Sequence, residues 1–218
     1  NVADPVTGSN DRKGEMMITC DFNCQDVVYQ KHFLKIDPIN ASGIRMVMVS
    51  EACPVDLADY FDGGERARFL QNTNQAFKSA GYDFHTFEDY LQAGIYLTTA
   101  IKCAKQGYLV SAQTLDNCST LLEKELGQFP NVKVMLLMGD FAIKSVNAIY
   151  RRCLKTRVVP AGSTYKIRGG VFEQGGVRFF PSYTQTGDSF GIEKSKVKMI
   201  EEDIKAAMRL LQSLEKGV

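Results

Sequence analysis

Two short runs of apolar residues, Ile44-Arg-Met-Val-Met-Val-Ser50 and Val132-Lys-Val-Met-Leu-Leu-Met-Gly139, constrain the fold more than any other part of this 218-residue chain. They are nearly continuous in apolar character rather than alternating. That is the pattern of strands buried on both faces, as in parallel sheets covered by helices. Each run stops at a turn signal. The first ends at Glu51-Ala-Cys-Pro54, whose proline cannot extend a central strand. Ligands of open α/β sheets bind outside the carboxyl ends of the strands, so Glu51 stands where a carboxylate can act on one.

The rest of the chain alternates helical and extended patterns. A helix is expected over 24–35, ended before Asp37-Pro38 because a residue preceding proline resists the helical region. Ala67, Phe69, Leu70, Ala76 and Phe77 give 65–80 a helical face, with Gly81 as its stop, and 85–91 reads as a further short helix. Ile95-Tyr-Leu-Thr-Thr-Ala-Ile101 is β-branched and aromatic, the composition of a strand. Ser111 is the expected cap of a helix over 112–126, in which Leu115, Cys118, Leu122 and Leu126 share a face. Asp140 opens another helix, to about 153. Residues 154–176 contain Pro160, Gly162 and two Gly-Gly pairs, which is loop and hairpin chemistry. Val177-Arg-Phe-Phe180 is a last strand, and 193–214 a long closing helix. Strands alternating with helices imply an α/β fold, a three-layer α/β/α domain around a mostly parallel sheet of four strands. One domain spans 1–218, with 1–19 irregular.

No segment has the apolar length of a membrane span, and the polar first residues lack the apolar core of a secretory signal. A cytoplasmic protein with no membrane partner is expected. The net charge of +1 excludes bulk electrostatic attraction to nucleic acid, but the distribution is uneven. Seven basic residues and one acid lie between Arg151 and Arg178, and four acids with no base between Glu51 and Gly64. A basic lobe beside an acidic loop can hold a polyanion in register; two differently charged solvated faces give the same pattern. Six cysteines in a cytoplasmic chain suggest metal or catalysis before disulfides. Cys20 and Cys24 form a C-x3-C pair, Cys103 and Cys118 a wider one, and free thiols are the alternative. Cys53 has no histidine near it in sequence, so it lacks the base of a thiol nucleophile.

Four stretches, taken in order, resemble the uracil-DNA glycosylase superfamily, especially its iron–sulfur branches. Val47-Met-Val-Ser-Glu-Ala-Cys-Pro54 is similar to the first family motif, V-G-E-A-P-G. Ile95-Tyr-Leu-Thr-Thr-Ala-Ile-Lys-Cys103 is similar to Y-I-T-N-x-x-K-C. Cys118 lies at the family's spacing for the next cluster cysteine. Ile167-Arg-Gly169 and Phe180-Pro-Ser-Tyr-Thr-Gln-Thr186 resemble the R-G turn and the P-T-Y-H-P-S segment. The chain departs from the family at two functional positions. Thr99 stands where the family's asparagine reads the uracil edge, and Thr184 where its histidine stabilises the departing base.

The resemblance implies a DNA partner and removal of a damaged or deaminated base by hydrolysis of its N-glycosidic bond. Glu51 is then the first candidate carboxylate and Asp56 the second, for orienting water or offsetting positive charge on the sugar. Phe69 matches the aromatic that stacks on a flipped base, although an aromatic at helical spacing also suits a core. Thr99 offers one hydroxyl where an asparagine offers an amide edge. Tyr183 can donate through its phenol near Thr184, and Ser182, Thr184 and neighbouring loop amides suit a phosphate. Lys102 and Lys105, near the loop of the implied cluster, could also touch phosphate, although exposed lysines are ordinarily just solvated. Cys20, Cys24, Cys103 and Cys118 are the implied ligands of a 4Fe–4S cluster, with zinc as the alternative for four thiolates. The losses at Thr99 and Thr184 also fit a catalytically degenerate member that binds nucleic acid or a nucleotide without cleaving it.

Overall fold

The computed structural model describes residues 18–28, 33, 38–187 and 190–216. Six strands form one sheet: β1 (Val27–Val28), β2 (Met46–Cys53), β3 (Ile95–Lys105), β4 (Val134–Met138), β5 (Phe172–Gln174) and β6 (Val177–Ser182). Their order is β1-β3-β2-β4-β6-β5. The four inner strands, β3, β2, β4 and β6, run parallel. β2 and β4 are the two apolar runs. Met46 to Val49 and Val134 to Met138 are wholly buried, as continuous apolar strands must be when both faces are covered.

The sheet has six strands where four are expected, and both additions are short antiparallel edges. At one side β1 pairs with the end of β3, Val27 opposite Lys105 and Val28 opposite Ala104. β1 lies inside the expected helix over 24–35; of the remainder of that stretch, 29–32 and 34–35 lie outside the described residues. At the other side β5 and β6 form a hairpin. Its turn glycines, Gly175 and Gly176, have φ of 60° and 76°, the double left-handed turn that matches strand twist. Most of the expected irregular segment 1–19 also lies outside the described residues.

The helices are α1 (Pro38–Gly43), α2 (Arg68–Ser79), α3 (Phe87–Gln92), α4 (Ala112–Leu126), α5 (Asp140–Leu154), α6 (Thr164–Ile167) and α7 (Lys194–Lys216). Among the described residues no helix is long and apolar enough to cross a membrane. α4 and α5 cover one face of the sheet, and α2 and α7 the other, giving three layers. The side chains of β3 report this alternation directly. Tyr96 and Thr98 hydrogen-bond Glu125 of α4, while Thr99 points to the opposite face, beside Tyr60. The β2–β3 crossover runs through α2, and the β4–β6 connection through α5 on the other face. Strand order therefore reverses between β2 and β4, and the crevice of such a sheet opens at their carboxyl ends.

β1 is clipped to α4 by a single carboxylate. Asp26 accepts from the Ser111 amide and the Thr114 hydroxyl at the start of that helix. Partial burial pushes its carboxyl up, but the Thr114 and Ser111 bonds outweigh burial and hold it below the ordinary value of 3.8. A carboxyl depressed on folding contributes stability that is present above its unfolded value and lost as pH falls through its folded one. The stability gap between wild type and Asp26→Asn, followed by urea denaturation, is therefore expected to be constant near neutrality. It should close on acidification through the lower carboxylate range. A gap that does not narrow with falling pH would remove the clip.

Candidate functional site at the carboxyl ends of the parallel strands

Glu51 lies near the end of β2, beside the point of strand-order reversal. Its Oε1 accepts the Asp140 amide at 3.0 Å, the first turn of α5. α5 has Gly139 at its cap, which carries no side chain to do this itself. Glu51 therefore supplies from another strand the cap that α5 lacks, and the helix dipole favours its negative charge. The Lys105 ammonium stands 3.6 Å from the other carboxylate oxygen and 4.8 Å over the Phe141 ring. Gly139 has φ of 102°, and a Cβ there would fall 2.6 Å from Glu51 Cγ. Its amide also donates to the Ser182 carbonyl at 2.9 Å, tying the ends of β4 and β6. The carboxylate is thus seated by three strand ends and remains 21% exposed.

Asp56 follows in the loop after β2. It caps the single 3-10 turn Leu57–Asp59, accepting the Ala58 amide at 2.9 Å, and is exposed. Phe69 and Thr99 sit deeper, in one buried cluster. The Thr99 hydroxyl lies 3.4 Å from both the Cys53 thiol and the Tyr60 phenol. Phe69 packs against Phe61 and Tyr60, with centroids 5.6 and 6.3 Å apart. Tyr60 therefore joins the two, and nothing in its sequence context but its place after Glu51 singled it out. Burial pushes the Cys53 thiol up to about 12 and the Tyr60 phenol well above its ordinary value. Both are neutral donors at neutral pH, and Cys53 is no nucleophile.

At the end of β6 the candidate residues divide. Ser182 is buried and donates to Asp203 of α7 at 2.6 Å. The Arg168 Nε donates to the same carboxylate at 3.1 Å. Burial raises the Asp203 carboxyl, outweighing the Arg168 and Ser182 bonds that lower it. Ser182 is thus committed to a staple between β6 and α7. Tyr183 and Thr184 instead line a cavity of about 80 Å³ with Phe190, Lys196, Val197 and Ile200. Lys196 Nζ stands 5.5 Å over the Tyr183 ring, and the Thr184 hydroxyl lies 3.2 Å from that of Thr186. Gln185 is wholly buried, its amide donating to Ser50 and Thr73 at 3.1 Å. It is a core tie between β2 and α2, not a loop ligand.

The structure thus brings together Glu51 with Lys105, Thr99 with Phe69, and Tyr183 with Thr184. Ser182 and Asp56 are engaged elsewhere. Lys102 is only 1% exposed and is paired with Glu125, so it has no access to a phosphate.

The cysteines correct the metal expectation. Among the described residues no group of three or more His, Cys, Asp or Glu side chains is placed to hold a metal ion. Cys103 and Cys118 are buried against the core, and burial pushes the Cys118 thiol up to about 11. Cys24 accepts from the Asn117 amide at 3.7 Å. Spacing along the chain does not bring three of Cys20, Cys24, Cys103 and Cys118 into a ligand set, so their arrangement fits neither the expected iron–sulfur cluster nor zinc.

No family model matches the chain. Over 100 residues it is 28% identical to the type-5 uracil-DNA glycosylase of Thermus thermophilus. That stretch is 46% of this chain and 46% of the other protein, so the match spans about half the length of the curated relative. The similarity is weak and partial, and it supports a distant relation at the level of the superfamily.

Proposed function

We propose that this protein is a uracil-DNA glycosylase-like hydrolase that removes a damaged or deaminated base from DNA. The observation that carries the reading is Glu51, seated at the strand-order reversal by Lys105 and the first amide of α5. An enzyme of this kind takes the base out of the stack before breaking its bond to the sugar. As that bond lengthens, positive charge grows on the sugar and negative charge on the base. A fixed carboxylate offsets the first and orients the attacking water. Neutral donors offset the second, and they are worth most where water is excluded. The Tyr183 phenol and the Thr184 hydroxyl are the donors nearest the end of β6.

Oligonucleotides containing uracil, hypoxanthine or xanthine, followed by cleavage at abasic sites, test this. The expected result is nicking at one or more of these bases, reduced about a hundredfold or more in Glu51→Gln, in line with the loss of a general base. Glu51→Gln keeps an acceptor for the Asp140 amide, so its stability should change little.

A second reading has its own support. The Thr99 hydroxyl is turned to Cys53 and Tyr60 and is wholly buried, so it offers no free edge to a base. A member of the fold that retains DNA without cleaving it fits that feature. Salt-sensitive retention of DNA with no nicking at any of the three bases selects this second reading.

A further inference from the structure

Resting on the role given to Glu51 in that reading, we propose a second activity at the same site. Lys105 captures the abasic sugar that base removal leaves, and the strand is then cut beside it. The Lys105 side chain leaves the end of β3 and is 23% exposed. Three neighbours place its ammonium: a Glu51 oxygen at 3.6 Å, the Tyr108 carbonyl at 3.4 Å and the buried Phe141 ring, 4.8 Å away at its centroid. The stem is held against the core while the amine stays partly open to a ligand.

The electrophile follows from the first reaction. Hydrolysis of an N-glycosidic bond leaves a hydroxyl on C1′ of the sugar, and that hemiacetal opens to an aldehyde. A carboxylate that directs water at C1′ acts on that carbon through a single water. A group 3.6 Å from the carboxylate is therefore within reach of the same carbon. A lysine amine forms Schiff bases with carbonyl carbons once an adjacent base has taken its proton. Glu51 is that base, and contacts between such groups are commonly loose before substrate arrives. None of the three contacts is shorter than 3.4 Å, so freeing the amine breaks no strong hydrogen bond.

The ammonium first gives its proton to Glu51, and the amine adds to C1′ of the open aldehyde. Glu51 returns the proton to the new hydroxyl, which leaves as water, and the carbon–nitrogen bond becomes an iminium. That cation draws electrons from C2′. The Glu51 carboxylate takes a C2′ proton, the electron pair moves to form a C2′–C3′ double bond, and the 3′ phosphate leaves with its own bonding pair. Water then hydrolyses the remaining iminium, which restores the lysine amine and releases an unsaturated aldehyde. No oxidant or metal enters the balance.

A second amine lies near the same ring. Lys144 Nζ stands 6.0 Å from the Phe141 centroid, but it pairs with Asp140 at 2.5 Å and is 55% exposed. It is the internal control, because only Lys105 of the two pairs with Glu51.

A duplex carrying one ready-made abasic site tests the step without any need for base removal. Borohydride reduces the iminium to a stable amine, so a protein–DNA adduct that survives denaturation is expected, and peptide mapping should place it on Lys105. Lys105→Arg keeps a positive charge beside Glu51 but offers no amine. It should lose the adduct to the level seen with a tetrahydrofuran site, which cannot open to an aldehyde. Without borohydride the wild type should cut the abasic strand and Lys105→Arg should not. Lys144→Arg should trap like wild type, and equal thermal unfolding of both variants checks that the fold is intact.

No adduct from the wild type, an undiminished adduct from Lys105→Arg, or an adduct mapped to another lysine overturns the proposal. Base removal without trapping does so too, and leaves the glycosylase reading standing alone. Trapping on Lys105 without base removal from any oligonucleotide keeps the cutting step and removes the glycosylase reading.

Discussion

Lys102→Met is expected to lose about 3–5 kcal/mol of folding stability, the cost of stranding one member of a buried ion pair. Lys102 and Glu125 have side chains only 1% and 4% exposed, between β3 and α4. The ammonium donates to Glu125 and, at 2.7 Å, to the Thr98 hydroxyl. The Tyr96 phenol donates to the other Glu125 oxygen at 2.7 Å, and Thr98 reaches it at 3.0 Å. Burial and the Glu125 charge push the Tyr96 phenol well above its ordinary value, so it stays a donor. Both oxygens of the carboxylate thus have a donor, but only Lys102 carries a balancing charge. Two neutral donors cannot replace it in a medium that screens so little.

The double variant Lys102→Met/Glu125→Leu separates charge from packing. It removes both charges and keeps most of the volume, and such replacements are often close to neutral. Urea denaturation of both variants and wild type should show the double variant recovering part of the lost stability, the rest being the cost of the Tyr96 and Thr98 hydroxyls left without their acceptor. A single variant costing under about 1 kcal/mol, or a double variant no better than the single, would show that the pair is not the source of the effect.

Lys102 also marks the limit of what could be read from residue order. β2 and β4 were legible because strands buried on both faces leave an unbroken apolar signature. The expected end of β3 at 101 came from the polar Lys102 that follows, yet the strand runs on to Lys105. Its polar residue is buried because a partner from another element neutralises it, and periodicity carries no trace of such a partner. The same blindness misplaced Ser182 and Gln185, whose polar side chains suggest a surface loop but which tie β6 and its following loop to α7 and α2. β1 is two residues long and has no pattern of its own; it exists because β3 offers a longer edge. Glu51 was legible as a carboxylate closing a buried strand. Its partner Lys105 was not recognisable as such, because their meeting depends on that unexpected length of β3. The cysteine spacing misled for a related reason, since separation along a chain does not fix where Cys20 and Cys24 lie relative to Cys103 and Cys118.

On the proposed glycosylase reading, Gly139→Ala is expected to lower activity nearly as far as Glu51→Gln, with a stability loss of about 1–3 kcal/mol from the strained backbone position and a further loss from the displaced Glu51. Gly139 has φ of 102° and ψ of 171°, a region that residues with a Cβ scarcely enter. The new carbon would also fall 2.6 Å from both Cγ and Oε1 of Glu51, and 2.8 Å from Cδ. Glu51 is the softer of the two obstacles, so it is the group that moves. Leaving its seat breaks the bond to the Asp140 amide and carries the carboxylate away from Lys105. A catalytic group displaced by about 1 Å loses much of its effect, so the damage to turnover exceeds the damage to the fold. A thermodynamic cycle isolates the contact. In a Glu51→Ala background the clashing atoms are gone, and Gly139→Ala should then cost only its backbone strain. The difference between the two backgrounds, read from denaturation midpoints, measures the seat itself. Equal costs in both would mean that the glycine is required by the turn alone, and that Glu51 is not held where the site needs it.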